Sequence, residues 1–215
     1  MKEQRLVING IDFEPRHIFE CGQCFRWHKQ EDGSYTGVLG NNVLNVKKQG
    51  DSVIFQGICN GDIKDIVDYY FDMQTDYKQM KDQLRKVDPY LAKSIEFGHG
   101  IRILNQELWE MIISFIISAN NNIPRIQKII ERISKEYGTK IIWKDKTYYT
   151  FPTKEQLASA SIEDLRKLGL GFRDKYIYET TKKFVQGEID LEDLKNIQDV
   201  KKLRTILETL PRSRT

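Results

Sequence analysis

Cysteine is scarce: the chain of 215 residues holds three, Cys21, Cys24 and Cys59, too few for a disulfide framework. Long apolar runs are missing as well. None reaches the roughly 18 residues of a membrane span, and the opening MKEQRLVING has no signal-peptide core. There is no internal repeat, no low-complexity segment and no long linker. Neither sign of charge dominates: 34 Lys and Arg stand against 31 Asp and Glu, a net +3. That balance admits a nucleic-acid partner without demanding one. The tail adds Lys201, Lys202, Arg204, Arg212 and Arg214. These absences lead us to expect a soluble, monomeric globular protein of the cytoplasm, nucleoid-associated if bacterial, with no membrane partner.

Cys21-x-x-Cys24, with His28 close by, has the outline of a partial zinc or redox site. A redox pair belongs at the start of a helix, whereas CFRW, residues 24 to 27, reads as a strand. A structural zinc needs four ligands, and here Cys59 is distant and the fourth is unidentified. Packed thiols are the simpler reading, so no metal and no cofactor is expected.

The first sixty residues carry strand signals at 6–8, 24–27, 35–39, 43–46 and 52–56. Asp32-Gly33, Asn41-Asn42 and Gly50-Asp51 stand between them as turns. The pattern is that of an antiparallel meander. From Asp62 the apolar period becomes helical, through Ile63, Ile66, Val67 and Tyr70 and then Leu84, Val87, Leu91 and Ile95. Gly98 and Gly100 mark a boundary, giving domains at 1–100 and 101–215. Beyond it, residues 105 to 119 are apolar nearly all round, as in a central buried helix. The next helix buries Ile123, Ile126, Ile130, Ile133 and Tyr137 and stops at Gly138. Thr153-x-x-Gln156 and Ser161-x-x-Asp164 have capping-box form, LGLG at 168–171 is a reversal, and a further helix runs from about Arg173 to Gln186. The fold expected is α+β: an N-terminal antiparallel β-sheet domain packed on an α-helical domain truncated at its C-terminus.

Two junctions carry chemistry. Asn120, Asn121 and Asn122 fall where one helix ends and another begins. Asn122 suits an N-cap, with Pro124 tolerated in the first turn. That leaves Asn120 and Asn121 as amides at the end of a rigid helix, with Arg125 a turn away. Capping alone is the bland alternative. Amide and guanidinium groups so placed suit base edges and phosphates. The second junction is KLGLGFRDKY, where Phe172 and Arg173 sit at the tip of a glycine-bounded turn. Phe172 either folds into the core or stands out as a wedge that unstacks bases, with Arg173 reaching the gap.

Four segments in this order, GQCFRW at 22–27, ISANNNIPRI at 117–126, YxxFPT at 148–153 and RKLGLGFRDKY at 166–176, resemble the 8-oxoguanine DNA glycosylase family. The similarity runs from near residue 6 to about Pro211. FPT alone would fit the wider helix-hairpin-helix superfamily, including alkylated-base glycosylases. GQ-x-FRW and NNNIxRI are specific to the oxidised-guanine branch. The resemblance implies a DNA N-glycosylase and abasic-site lyase of base-excision repair. Its partner would be double-stranded DNA with 8-oxoguanine opposite cytosine, and its action would be to flip the damaged nucleotide out. It implies that Asn120 enters the vacated space, that Arg125 and Arg173 hydrogen-bond the orphaned cytosine, and that Phe172 is the wedge. It also implies that the Gly22 carbonyl accepts a hydrogen bond from N7–H, which 8-oxoguanine has and guanine lacks. A plain turn glycine is the other reading of Gly22.

After its leucine-proline pair the family continues G-V-G-x-K, then supplies a lysine nucleophile and later an aspartate. Here the chain reads LETLPRSRT: Leu210 and Pro211 match, Arg212 does so loosely, and Ser213, Arg214 and Thr215 do not. The expectation is that the nucleophilic Lys and Asp lie beyond Thr215, through a frameshift or early stop, and that no catalytic residue is present. Lys175 and Lys182, on an amphipathic helix, do not substitute. The alternative function is a non-catalytic fragment that binds damaged DNA; an alkylated-base glycosylase fits the motifs less well.

Overall fold

The computed structural model describes residues 1–211, so Arg212, Ser213, Arg214 and Thr215, with the mismatch expected there, lie outside the described residues, while Lys201, Lys202 and Arg204 of the basic tail fall within them. The chain is α+β and divides into two compact units. The first is Met1–Gln106 with Ile142–Lys146, and the second is Glu107–Ile141 with Thr147–Thr215.

The first unit is built on five antiparallel strands: β1 (Lys2–Asn9), β2 (Trp27–Lys29), β3 (Tyr35–Leu39), β4 (Asn42–Gln49) and β5 (Ser52–Cys59). Their order is β1-β5-β4-β3-β2, a meander to which β1 adds at the β5 edge. Gly33, Gly40 and Gly50 supply the positive φ that its turns require,. Between β1 and β2 lies α1 (Pro15–Phe19), and α2 (Ile63–Tyr70), α3 (Tyr77–Leu84) and α4 (Pro89–Phe97) follow the sheet. Aromatic rings fill the core: Phe19 stacks on Trp27 at 4.1 Å, and Phe13 meets Phe55 and Phe71 edge-on. The glycine of YTGVL is required there, because a Cβ on Gly37 would fall inside the Trp27 indole.

CFRW corrects one expectation. Only Trp27 of the four is in a strand; residues 21–26 form an irregular loop. The Gln23 side chain explains it. Its amide donates to the carbonyls of Ile18 and Arg102, at 3.1 and 2.9 Å, and accepts from the Leu104 N–H at 3.1 Å. The loop is held by a side chain instead of a ladder. Cys21 is exposed, while Cys24 and Cys59 are buried thiols. Burial, reinforced by Asp62, pushes the Cys59 thiol up to about 11. Among the described residues no three His, Cys, Asp or Glu side chains gather as metal ligands.

The second unit is helical: α5 (Leu108–Ser118), α6 (Ile123–Tyr137), α7 (Lys154–Leu157), α8 (Ile162–Lys167), α9 (Arg173–Val185), α10 (Leu191–Asn196) and α11 (Val200–Glu208). Both capping boxes form, at Thr153 and Ser161. α6 is amphipathic and buries Ile126, Ile129, Ile130 and Ile133, while Ile123 is left largely exposed and Tyr137 partly so. α5 buries Trp109, Ile112, Ile113 and Ile117, but Phe115 is 54% exposed. Leu108, Met111, Phe115 and Ile116 line an apolar groove of about 460 Å³. The apolar surface of α5 is therefore covered on one side and open on the other. Between α6 and α7 runs a hairpin that the sequence reading missed, β6 (Lys140–Trp143) and β7 (Lys146–Tyr149). Its turn residues Lys144 and Asp145 both take positive φ, 47° and 60°. That is the backbone of a two-residue hairpin turn, without the usual Asn-Gly signal. No helix of the described residues is long and apolar enough to cross a membrane.

Candidate nucleic-acid interface

The three asparagines divide their work. Asn122 is the N-cap of α6, its side-chain oxygen accepting from the Arg125 N–H at 3.0 Å, with Pro124 in the first turn. Asn121 closes α5: its amide donates to the Ile117 carbonyl at 3.0 Å and accepts from the Asn122 N–H at 3.0 Å. Both therefore satisfy helix ends that would otherwise carry orphan groups. Asn121 was expected to stand free beside Asn120; capping claims it instead. Asn120 differs. It is exposed, sits at φ 49°, and its side chain makes no hydrogen bond among the described residues. A non-glycine residue in the left-handed region costs free energy, and asparagine tolerates it best.

Arg173 holds that turn in place. It is only 2% exposed, and its guanidinium is turned inward. Nε donates to the Ala119 carbonyl at 3.1 Å, Nη2 to the Ala119 and Asn120 carbonyls, the latter at 2.9 Å, and Nη1 to Leu170 at 3.4 Å. The guanidinium thus satisfies carbonyls just past the end of α5. Burial, and then the like charge of Arg125, lower its pKa from the usual arginine value. The exposed display expected of Arg173 is thus replaced by a clamp. Phe172 takes the other part: it is 50% exposed, 4.4 Å from the guanidinium carbon at its ring centroid, and edge-on to Tyr176 at 6.1 Å. Gly171, at φ 60°, lets the chain reverse there. Asp174, fully buried, is bound by Arg166 at 2.7 Å and anchors the first turn of α9.

The geometry therefore gathers Asn120, Phe172 and Arg173 at one edge of the open groove, with Arg125 exposed on the first turn of α6. An amide, an aromatic face and the exposed Arg125 guanidinium suit a partner offering base edges, stacked rings and phosphates. Gly22 belongs to the other unit, on the Gln23-stapled loop, with φ 85°. That value fits the turn-glycine reading and leaves its carbonyl as the group with any role in recognition.

Residues 5–112 match the family described as 8-oxoguanine DNA glycosylase, N-terminal domain, and residues 113–207 match the HhH-GPD superfamily of base-excision DNA repair proteins. The chain belongs to the 8-oxoguanine DNA glycosylase family. It is 34% identical over 202 residues to an N-glycosylase/DNA lyase of Saccharomyces cerevisiae, covering 86% of this chain and 53% of that protein. The apo crystal structure of Clostridium acetobutylicum 8-oxoguanine glycosylase/lyase superposes with TM-score 0.91 at 40% identity, covering 97% of this chain and 74% of the other. A second structure of that enzyme, bound to double-stranded DNA containing cytosine opposite 8-oxoguanine, superposes equally well, with 72% of its chain covered. The chain spans about half the length of the curated relatives it matches. The α+β fold, the two matched regions and the four quoted motifs are those of one family.

Proposed function

We propose that this chain recognises duplex DNA carrying 8-oxoguanine opposite cytosine, in base-excision repair, and extrudes the damaged nucleotide. The observation that carries the reading is Asn120: an exposed amide with no hydrogen bond among the described residues, held on a left-handed turn, with the half-exposed ring of Phe172 beside its clamp. In this reading Asn120 fills the gap left by the extruded base and Phe172 wedges the stack open. Arg125 hydrogen-bonds the orphaned cytosine. Arg173 joins it by exchanging one of its carbonyl acceptors for the base. The Gly22 carbonyl accepts from N7–H of the lesion and is repelled by the bare N7 of guanine.

Residues 1–215 supply recognition in this reading, and none of their lysines is the nucleophile. Attack on C1′ needs a lysine amine that has lost its proton. The buried lysine, Lys81, is taken up by an ion pair with Asp12 at 2.5 Å. Lys175 and Lys182 are exposed on α9, the latter over the Tyr178 ring.

The test uses a duplex with 2-aminopurine beside 8-oxoguanine opposite cytosine. The protein should raise its fluorescence as the stack opens, Phe172→Tyr should preserve the rise, and Phe172→Ala should reduce it. Fluorescence that stays at the free-duplex level under saturating protein rejects the reading. Borohydride trapping on the same duplex should give no covalent adduct with the 215-residue polypeptide; an adduct mapped to one of its lysines overturns the assignment of recognition alone.

A further inference from the structure

Beyond the base-contacting turn, α6 carries two further cations, Lys128 and Arg132, that those roles leave unused. Arg125, Lys128 and Arg132 follow one another at i, i+3 and i+7, so their side chains share one face of the helix. All three are exposed, and they line an open cleft of about 390 Å³ together with Asn122, Pro124 and Gly169. The opposite wall is the Leu168–Gly169 turn. Arg132 Nη1 donates to the Leu168 carbonyl at 3.2 Å, which fixes the guanidinium against that wall. Gly169 takes φ +94°, and a Cβ there would come 2.9 Å from Arg132 Nη1. The positive φ is what calls for glycine at 169, since the far end of the Arg132 side chain can move aside,.

Charge decides what such a cleft holds. Among the described residues no ion pair joins a carboxylate to Arg125, Lys128 or Arg132, whereas several other surface cations have one. Lys64 pairs with Asp68, Arg85 with Asp82, Lys167 with Asp164, Lys195 with Glu192 and Arg204 with Glu208. Three like charges on one face repel, and the positive end of the 15-residue α6 adds to them,. An anionic ligand relieves that repulsion, and a polymer with regularly spaced charges relieves it along the whole face.

We propose that the α6 cleft, with Lys128 and Arg132 as its cationic groups and the Leu168–Gly169 turn as its wall, binds backbone phosphates of duplex DNA. It extends the footprint away from the extruded base along the side of Arg125. The proposal rests on the DNA-binding reading above but not on lesion or cytosine recognition, since phosphate contacts carry no sequence information.

The experiment measures binding of the protein and of Lys128→Gln to an undamaged duplex, and to one with an abasic-site analogue opposite each of the four bases, across a salt series. Lys128 is exposed and makes no side-chain hydrogen bond or ion pair among the described residues, so its replacement should leave the fold intact. Loss of one phosphate contact should reduce the slope of log K against log[salt] by about 0.9. It should weaken binding by the same factor on every duplex, and Arg132→Gln should repeat the effect. An unchanged slope in both variants, with the parent still preferring cytosine, overturns the cleft and leaves the recognition reading standing. A reduced slope in both variants, with a parent that shows no preference among opposing bases, supports the cleft and removes that reading. A parent that binds no duplex overturns both.

Discussion

The guanidinium of Arg173 donates to the main-chain carbonyl of Asn120 at 2.9 Å, while the Asn120 side chain makes no hydrogen bond among the described residues. One residue is committed inward so that its neighbour in space can be presented outward. Replacing Arg173 by lysine keeps the charge but loses the planar fork that reaches Ala119, Asn120 and Leu170 together. Leaving those carbonyls unsatisfied should cost about 1–3 kcal/mol of stability. Denaturant unfolding of Arg173→Lys measures it, with faster amide exchange at residues 119–122 as the local signature. A midpoint equal to the parent's means the clamp contributes nothing.

The asparagines should separate cleanly on substitution. Asn122→Ala removes the α6 cap and should cost about 1 kcal/mol. Asn120→Gly relieves the left-handed backbone, φ 49°, so stability should hold or rise while affinity for gapped or abasic duplex falls. Thermal melting paired with DNA titration reads both variants. Destabilisation by Asn120→Gly contradicts the division of roles.

The thiols give a pH prediction. The Cys59 thiol ionises near 11 in the folded protein, against a usual 9.0. Between those values the unfolded chain has lost a proton that the folded one keeps, so stability falls as pH rises through that window and is unaffected by this group below it. Cys59→Ala should flatten that part of the stability curve. In native protein at neutral pH the exposed Cys21 should react with a thiol reagent, while Cys24 and Cys59 wait for unfolding. Equal reactivity of all three shows that the buried pair is accessible.

Much of this molecule can be read from its residues. Short β-branched and aromatic runs with turn residues between them place β1, β3, β4 and β5, and the capping boxes at Thr153 and Ser161 start their helices. The misses have physical causes. CFRW has strand-like composition, but Gln23 reaches carbonyls far along the chain, and no local pattern announces that. The β6–β7 hairpin hides its turn in Lys144-Asp145, although the Ile-Ile-Trp and Thr-Tyr-Tyr runs around it are strand-like. The motif at 166–176 places Phe172 and Arg173 at a turn without saying which faces water. Burial decided it, sending the arginine in and the ring out.

The central claim is that the Asn120 turn and Arg125 read the base opposite the lesion. The most direct measurement is the affinity of the parent and of Arg125→Ala for duplexes with an abasic-site analogue opposite cytosine, adenine, guanine or thymine. The parent should prefer cytosine, and Arg125→Ala should lose about 1–3 kcal/mol of that preference, as for one lost base contact. Equal binding of the parent to all four duplexes, or an unchanged cytosine preference in Arg125→Ala, would contradict the account.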